Sequence, residues 1–302
     1  MENFHYYLCR QLKGGGMEIK MKKGLVLEGG AMRGLFTAGV IDVLMEHEID
    51  FDGLIGVSAG AAFGCNYKSR QIGRTIRYNM KYCKDWRYCS MRSLIRTGDL
   101  YGAEFCYHEI PEKLDIFDSE TFDNNPMEFV VVCTDVETGK PVYHACDKAG
   151  GDCLKWIRAS ASMPMVSHIV EVGGYRLLDG GISDSIPLLY FEQAGYEKNV
   201  VVLTRPADYQ KKKNSLMPLL KRALKKYPKV LETMEKRHED YNETRHYINE
   251  RKEAGSVFVI QPDCALDIGR IEHDPEKMRR VYEMGRETAL RQLKEIQEFL
   301  CS

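Results

Sequence analysis

Apolar and polar positions alternate with two different periods from residue 23 onward. Short continuous apolar runs at residues 24–28 and 52–56 predict strands, and helical spacing of apolar positions at residues 34–48 and 59–67 predicts helices. Strands that crossover helices bury on both faces form parallel sheets. The pattern therefore predicts an α/β fold of three layers, α/β/α, with a mainly parallel central sheet.

Later segments extend the sheet and change one edge of it. Three further apolar runs predict strands at residues 128–133, 199–203 and 256–260. Residues 141–146 and the runs on either side of Gly173 and Gly174 predict hairpin elements, because two adjacent glycines supply the positive φ of a tight turn. We therefore expect the sheet to be mixed at one edge.

The organisation of the chain follows from these elements. Residues 1–22 are polar and glycine-punctuated, which predicts a loose leader, and residues 23–195 form the predicted core. The aromatic-rich segment 71–125 is expected to form a lid or cap over the sheet. Residues 196–302 are predicted to be a helical extension of the same domain with core-completing strands. Its final helix should begin at Pro275, with Asp274 as N-cap.

Composition and charge restrict the class of partner. With 302 residues, of which 44% are hydrophobic and 29% charged, the chain is long enough for one sizeable α/β core. Its 43 basic residues balance 44 acidic ones, so charge gives no reason to expect nucleic acid as the main partner. We expect none.

Localisation is predicted from the apolar runs and the cysteines. The longest apolar stretches fall far below the roughly 20 residues that cross a bilayer, and the N-terminal stretch lacks the features of a secretory signal. The ten cysteines are scattered singly, which predicts reduced thiols. Cys83 and Cys89, near His108, lack the spacing of a metal site. We expect a cytoplasmic protein, peripheral at the inner membrane face at most, without cofactor or metal.

A Gly-x-Ser-x-Gly motif stands where a predicted strand ends and a helix begins. Ser58 lies between Gly56 and Gly60, and only small neighbours let strand and helix approach closely around a strained turn. The N-terminus of the following helix favours the negative charge that develops when a hydroxyl attacks an ester carbonyl. A glycine-bounded turn that merely packs is the alternative interpretation.

A run of small residues follows the first predicted strand. Its members are Gly29, Gly30, Ala31, Met32 and Arg33, and such a loop exposes consecutive backbone N–H groups beside the next strand's carboxyl end. The loop is therefore a candidate oxyanion hole. A nucleotide phosphate loop is the alternative, although the run lacks both the Gly-Lys-Ser/Thr ending and the Gly-x-Gly-x-x-Gly order.

An acidic residue leaves a third apolar run directly before two glycines. Asp179 precedes Gly180 and Gly181, which place a carboxylate where another loop can approach closely. An ordinary Asp-Gly turn is the alternative. The occurrence of all three signals in one chain strengthens the functional interpretation.

The three motifs, in this order, resemble those of the patatin-like phospholipase family. The resemblance covers roughly residues 23–191 and includes the small-residue block at 159–164. It implies a patatin-like fold and a Ser-Asp dyad, with Ser58 as nucleophile and Asp179 as general base. It also implies that residues 29–33 form the oxyanion loop, with Arg33 as its basic member.

Two departures and one alternative accompany the resemblance. Ala31 stands where the family has a third loop glycine, and its methyl group is tolerated if φ stays negative; an acidic Glu28 precedes the loop. A full Ser-Asp-His triad would need a histidine after Asp179. The three candidates are predicted to be surface residues: His238, His246 and His273.

The resemblance implies lipid carboxylic esters as substrates, hydrolysed without calcium: phospholipids, lysophospholipids or neutral acylglycerols. The basic stretch 211–229 has interspersed leucines and allows two interpretations. It makes a transient contact with an anionic membrane, or it is an ordinary surface helix that packs its apolar stripe on the core. Three other functions are weighed against a hydrolase: an acyltransferase using the same acyl-Ser58 intermediate, a non-catalytic lipid-binding protein, and a nucleotide-binding regulator.

Overall fold

The computed structural model describes residues 21–302, so the predicted leader lies almost entirely outside the described residues. In the described part, eight strands form one sheet: β1 Lys22–Leu27, β2 Gly53–Val57, β3 Glu128–Asp135, β4 Pro141–Ala145, β5 Val170–Val172, β6 Tyr175–Asp179, β7 Tyr196–Val202 and β8 Val257–Ile260. Every strand that the apolar runs predict is present.

The helices of the same region are α1 Gly34–Glu46, α2 Ala59–Lys68, α3 Arg74–Tyr82, α4 Met91–Thr97, α5 Ser119–Asn124, α6 Cys153–Ser160, α7 Leu188–Gln193, α8 Met217–Ala223, α9 Pro228–Glu253 and α10 Pro275–Cys301. Short 3₁₀ helices span Ala31–Arg33 and Gly180–Ile182, and a π-helix spans Phe105–Leu114. In the described helices, none combines the length and apolar composition that crossing a bilayer requires.

The central sheet is parallel over most of its width. Strands β3, β2, β1, β7 and β8 are neighbours in that order and run parallel. Strands β4 and β6 pair with β3 in the antiparallel direction, and β5 pairs with β6 in the same way. The mixed edge that the hairpin signals predict is therefore confirmed.

Side chains of each central strand alternate between two apolar layers. In β1, Leu25 and Leu27 join the cluster formed with α1, α2, α6 and α10, whereas Val26 joins the cluster on the opposite face with α7 and α9. This alternation follows from the period of two in a strand. Helices thus cover both faces, and the predicted three-layer α/β/α fold is confirmed.

The last helix belongs to the helical layer on the α1 face. A Cβ atom added at Gly39 of α1 would lie 2.0 Å from the Tyr282 carbonyl oxygen, and one added at Gly285 of α10 would lie 2.0 Å from that of Phe36. The two backbones approach this closely only because both positions are glycine. Asp274 caps α10, as predicted, by accepting a 2.9 Å hydrogen bond from the Glu276 N–H.

Strand β3 brings two distant strand ends together. Val132 pairs with Val57 of β2 and with β4, while Cys133 pairs with Asp179 of β6 and with β4. Because β4 occupies one edge of β3, β2 and β6 share the other edge and run toward each other along it. The residue after β2 and the last residue of β6 consequently meet.

Candidate active site

Ser58 occupies a strained turn between β2 and α2. Its backbone has φ 55° and ψ −120°, a conformation that costs free energy in any residue with a side chain. The flanking glycines allow the turn: a Cβ atom at Gly56 would lie 2.6 Å from the Ala61 nitrogen, and one at Gly60 would lie 2.5 Å from the Leu27 carbonyl oxygen. Close approach thus requires glycine at both positions.

The structure brings Ser58 and Asp179 into direct contact. The Ser58 hydroxyl donates a 2.7 Å hydrogen bond to Asp179 Oδ2, across 121 positions of sequence. Both residues are buried. A serine hydroxyl that already points its proton at a carboxylate is arranged for proton transfer to that carboxylate.

The surroundings of Asp179 favour a carboxylate with reduced acidity. Its second oxygen, Oδ1, accepts a 2.7 Å hydrogen bond from the Gly181 N–H. Burial raises the pKa of Asp179 above its ordinary value of 3.8, and the hydrogen bond from Ser58 and the charge of Arg237 partly offset that rise. A higher pKa makes the carboxylate a better proton acceptor at neutral pH.

The glycine-rich loop lies against Ser58. A Cβ atom added at Gly29 would be 3.2 Å from the Cβ of Ser58, and one at Gly30 would be 2.8 Å from Thr204 Oγ1. Within residues 21–302 the N–H groups of Gly29, Gly30 and Ala59 have no hydrogen-bond acceptor. The loop and the start of α2 thus offer free N–H donors beside the serine, which makes them candidates for an oxyanion hole.

Ala31 departs from the expected backbone. The sequence suggests that a methyl group is tolerated there if φ stays negative, yet the structure gives Ala31 a φ of 49°. This condition is not met at Ala31, where the loop enters its 3₁₀ helix. Alanine in this left-handed region costs about 1–2 kcal/mol relative to a right-handed conformation.

Replacement of Ala31 by glycine is expected to stabilise the protein. Removal of the methyl group relieves the left-handed strain, and the greater freedom of glycine in the unfolded chain offsets part of that gain. The free energy of unfolding should rise by about 0.5–1 kcal/mol in a denaturant titration. Ala62→Gly, inside α2, is the matched control and should lower it by about 1 kcal/mol. An equal loss in both variants would contradict the strain at Ala31.

Glu28 and Arg33 flank this loop and differ in their bonding. The Glu28 carboxylate is buried and accepts hydrogen bonds from the Thr204 N–H at 2.6 Å and from the Tyr241 hydroxyl at 2.7 Å. The Arg33 Nε atom is also buried but has no hydrogen-bond partner in the described part of the chain. Glu28 therefore fixes the start of the loop, whereas the Nε–H group of Arg33 remains available to donate a hydrogen bond to a ligand.

Two residues that the motifs do not indicate support the site. Ser160 Oγ accepts a 2.8 Å hydrogen bond from the Ser58 N–H and donates a 2.6 Å bond to the Val132 carbonyl oxygen, which ties the turn to β3. Arg237 of α9 donates from Nε to the Gly181 carbonyl oxygen. Ser160 stands in the small-residue block that the sequence shows, whereas no sequence signal distinguishes Arg237.

The histidines considered for a triad lie elsewhere. His273 Nδ1 contacts the Cys83 carbonyl oxygen at 2.6 Å, His238 lies beside Glu239, and His246 is exposed. Among residues 21–302, no histidine forms a hydrogen bond with Ser58 or Asp179. In the same residues, no cluster of three His, Cys, Asp or Glu side chains could hold a metal ion.

An apolar cavity of about 130 Å³ opens at Ser58. Its aromatic wall comes from the predicted cap segment 71–125, and the opposite wall comes from α2 and α6. The lining residues on the aromatic side are Tyr78, Tyr88, Tyr101, Tyr107 and Phe117. Burial raises the pKa of the cavity tyrosines Tyr78 and Tyr107 further above its ordinary value of 10, so both stay uncharged at neutral pH.

Comparison with known proteins places the chain in a family. A family model described as patatin-like phospholipase matches residues 25–192, and a model of a domain of unknown function (DUF6363) matches residues 227–301.

Among related sequences, the uncharacterized protein YjjU of Escherichia coli is 32% identical over 193 residues, which cover 61% of this chain and 52% of that protein. Lysophospholipase NTE1 of Debaryomyces hansenii is 29% identical over 59% of this chain and 11% of its own length. The chain thus matches about half of one relative and a tenth of the other.

Among solved structures, VipD from Legionella pneumophila aligns with a TM-score of 0.47 and 12% identity, over 96% of this chain and 73% of VipD. The family match covers more than half of the chain and includes all three motifs. The chain belongs to the patatin-like phospholipase family.

Proposed function

We propose that the protein is a serine hydrolase of lipid carboxylic esters, in which Ser58 is the nucleophile and Asp179 the general base. The observation that carries this proposal is the 2.7 Å hydrogen bond from the Ser58 hydroxyl to Asp179 Oδ2 at the mouth of an apolar cavity. No histidine takes part in the proposed mechanism.

The first step acylates the enzyme. Asp179 accepts the Ser58 proton while Oγ forms a bond to the ester carbonyl carbon. The N–H groups of Gly29, Gly30 and Ala59 would stabilise the oxyanion, and the positive end of α2 adds to this stabilisation. The tetrahedral intermediate collapses with cleavage of the bond to the alcohol oxygen, which takes the proton from Asp179.

The second step releases the acyl group. A water molecule transfers a proton to Asp179 and attacks the acyl carbon, and Ser58 then leaves with that proton. The carboxylate returns to its starting state. The raised pKa of Asp179 supports both proton transfers, because it brings the base closer in pKa to the groups with which it exchanges protons.

The apolar lining of the cavity suits the acyl chain of the ester. Its lining is dominated by aliphatic and aromatic carbon, including Met32, Phe63, Leu154 and Ile157. Burial of methylene groups there stabilises binding by about 0.8 kcal/mol for each CH₂. The name lysophospholipase that fungal relatives carry is consistent with this substrate class.

A contact with membrane surfaces forms part of the same proposal. Met217, Leu220 and Leu224 pack in an apolar cluster, as the alternative of a core-packing stripe predicts. Leu216 and Leu219, in contrast, are 54% and 53% exposed, in a stretch with many lysines. Exposed leucines beside basic residues suit a transient contact with an anionic bilayer.

Product analysis of lysophospholipid turnover tests the proposal. Wild-type protein should release free fatty acid, and faster from anionic than from neutral vesicles, because the basic stretch concentrates the enzyme on them. Addition of an alcohol acceptor should leave fatty acid as the main product. Transfer of most acyl groups to the alcohol would favour the acyltransferase instead, and tight lipid binding without any product would favour a non-catalytic lipid-binding protein.

A further inference from the structure

Five cationic side chains from separate parts of the chain lie near the candidate active site, and two of them, Arg237 and Arg270, act on Asp179. Arg33 ends the glycine-rich loop, Arg205 and Lys211 follow β7, Arg237 lies on α9, and Arg270 precedes α10. These five residues are called the cationic cluster below. Two carboxylates, those of Glu28 and Asp179, are close enough to interact with it electrostatically.

The members of the cluster lie near one another: the rings that Arg205 and Lys211 contact, Tyr209 and Tyr241, have centres 6.1 Å apart, and the charges of the cluster also act on each other's pKa values. Burial and the charges of Arg205 and Arg270 lower the pKa of Arg33. Burial and the neighbouring charge of Arg237 lower the pKa of Lys211 to about 7. Cations that depress each other's pKa values create a positive potential that an anion would relieve.

Aromatic contacts hold two of the cations in place. The Lys211 ammonium lies 3.8 Å from the centre of the Tyr241 ring, and the Arg205 guanidinium lies 4.4 Å from that of Tyr209. The Tyr241 hydroxyl also bonds Glu28, at the start of the glycine-rich loop. Lys211 is thus connected through Tyr241 and Glu28 to the start of the glycine-rich loop.

The cluster is also adjacent to Asp179 and to the cavity. Arg237 donates to the carbonyl oxygen of Gly181, whose N–H binds Asp179. The Arg270 carbonyl oxygen accepts a 3.3 Å hydrogen bond from the hydroxyl of Tyr101, which lines the apolar cavity. The cationic side chains themselves do not line that cavity.

Most of these cations form neither a side-chain hydrogen bond nor a salt bridge within residues 21–302. There the side chains of Arg33, Arg205, Lys211 and Arg270 donate no hydrogen bond and form no salt bridge, and the buried Nε of Arg33 is an unsatisfied donor. A buried donor without an acceptor costs about 1–3 kcal/mol. Arg270 is exposed and the other four cations are partly buried. A cluster of cations in which most members pair with no carboxylate is suited to binding a phosphate group.

We propose that the cationic cluster binds the phosphate of a glycerophospholipid or lysophospholipid, on the leaving-alcohol side of Ser58. This inference rests on the proposed hydrolase function and specifies its substrate class. The acyl chain would occupy the apolar cavity, the ester carbonyl would lie at Ser58, and the phosphate would accept hydrogen bonds from the cluster. The substrate would thereby be distinguished from a neutral acylglycerol.

The proposal also gives a role to the region that matches a domain of unknown function. Residues 227–301 supply Arg237 and Arg270, while residues 25–192 supply the nucleophile, the base and Arg33. The C-terminal region would therefore complete the substrate site by recognising the head group, in addition to covering the sheet.

A kinetic comparison of two matched substrates tests the cluster. The ratio of kcat/KM for lysophosphatidylglycerol to kcat/KM for a monoacylglycerol with the same acyl chain should favour the phospholipid in wild-type protein. Arg205→Gln and Arg270→Gln should each lower this ratio about tenfold, because each removes charge-assisted hydrogen bonds to phosphate. An unchanged ratio in both variants, or a wild-type preference for the monoacylglycerol, would overturn the proposal.

Lys252→Gln is the matched control for the loss of one positive charge. Lys252 is exposed on α9, about 22 Å along the helix from Arg237, at 1.5 Å per residue. This variant should keep the wild-type ratio. A tenfold fall in the control as well would show that net charge, rather than the cluster, determines the preference, and would overturn the proposal.

Direct binding separates this proposal from the proposed hydrolysis. Titration calorimetry on Ser58→Ala protein, which needs no turnover, should show at least about tenfold tighter binding of lysophosphatidylglycerol than of the monoacylglycerol. Selective binding by a protein that hydrolyses no ester would retain the phosphate site and reject the hydrolase. Turnover of esters without selective binding of the lysophospholipid would retain the hydrolase and reject the phosphate site. Inorganic phosphate that binds as tightly as the lysophospholipid would overturn the assignment to a lipid head group.

Discussion

Replacement of Ser58 by alanine is expected to lower kcat for p-nitrophenyl esters by about a thousandfold or more, a loss typical of removing a catalytic nucleophile. The variant lacks the oxygen that forms the acyl-enzyme, and only the oxyanion donors and the cavity remain. Alanine keeps the Cβ atom and the N–H that binds Ser160, so the turn should keep its shape. The thermal midpoint should change by little.

Initial rates and thermal midpoints of wild type and variant check this expectation. Ser215→Ala is the matched control, since Ser215 is exposed and stands in a loop before α8. The control should keep the wild-type rate. Activity in Ser58→Ala within tenfold of wild type would rule out Ser58 as the nucleophile.

Replacement of Asp179 by asparagine is expected to lower kcat by about a hundredfold to a thousandfold. Asparagine has nearly the same shape, and its carbonyl oxygen can still accept the Gly181 N–H, but an amide cannot take up the Ser58 proton. In wild type, kcat/KM should fall as the pH drops through the pKa of Asp179, which burial raises above 3.8. This acid limb should vanish from the residual activity of the variant.

The same substitution has a predictable effect on stability. The folded-state pKa of Asp179 exceeds its unfolded value, so the stability that its protonated form contributes is fully present below pH 3.8 and is lost as the pH rises through the folded pKa. At neutral pH the native protein therefore holds an unfavourable buried charge. The neutral amide removes it, and the thermal midpoint of Asp179→Asn at pH 7 should equal or exceed that of wild type.

A second, partly buried carboxylate provides the control. Burial likewise raises the pKa of Asp184, which bonds the Tyr143 hydroxyl at 2.9 Å but does not contact Ser58. Asp184→Asn should keep both the rate at pH 7 and the acid limb. If the acid limb disappeared in Asp184→Asn and persisted in Asp179→Asn, Asp179 would not be the base whose protonation lowers the activity.

Local features of the site follow from the sequence because they depend on neighbours in the chain. The turn at Ser58 needs small residues two positions away, and Gly56 and Gly60 reveal it. The apolar runs give the strands, and the Asp274-Pro275 pair gives the start of α10. The division of the chain at residues 195 and 196 into a core and an extension of one domain stays a prediction.

Features that depend on distant packing do not follow from the sequence. The contact between Ser58 and Asp179 requires β2 and β6 to share one edge of β3, which no local pattern encodes. Arg237 reaches Gly181 from the middle of a long charged helix, where its charge resembles that of its neighbours. The positive φ of Ala31 depends on the path of the loop past Ser58, and the residue type gives the opposite expectation.

Mass spectrometry of protein treated with a fluorophosphonate identifies the nucleophile without relying on a substrate, because the reagent forms a stable bond only with an activated nucleophile. We expect one adduct per chain, mapped to the peptide that contains Ser58, and no adduct in Ser58→Ala. A folded wild-type protein that hydrolyses esters while it carries the adduct on a different residue, or carries none, would contradict the assignment of Ser58 as the nucleophile.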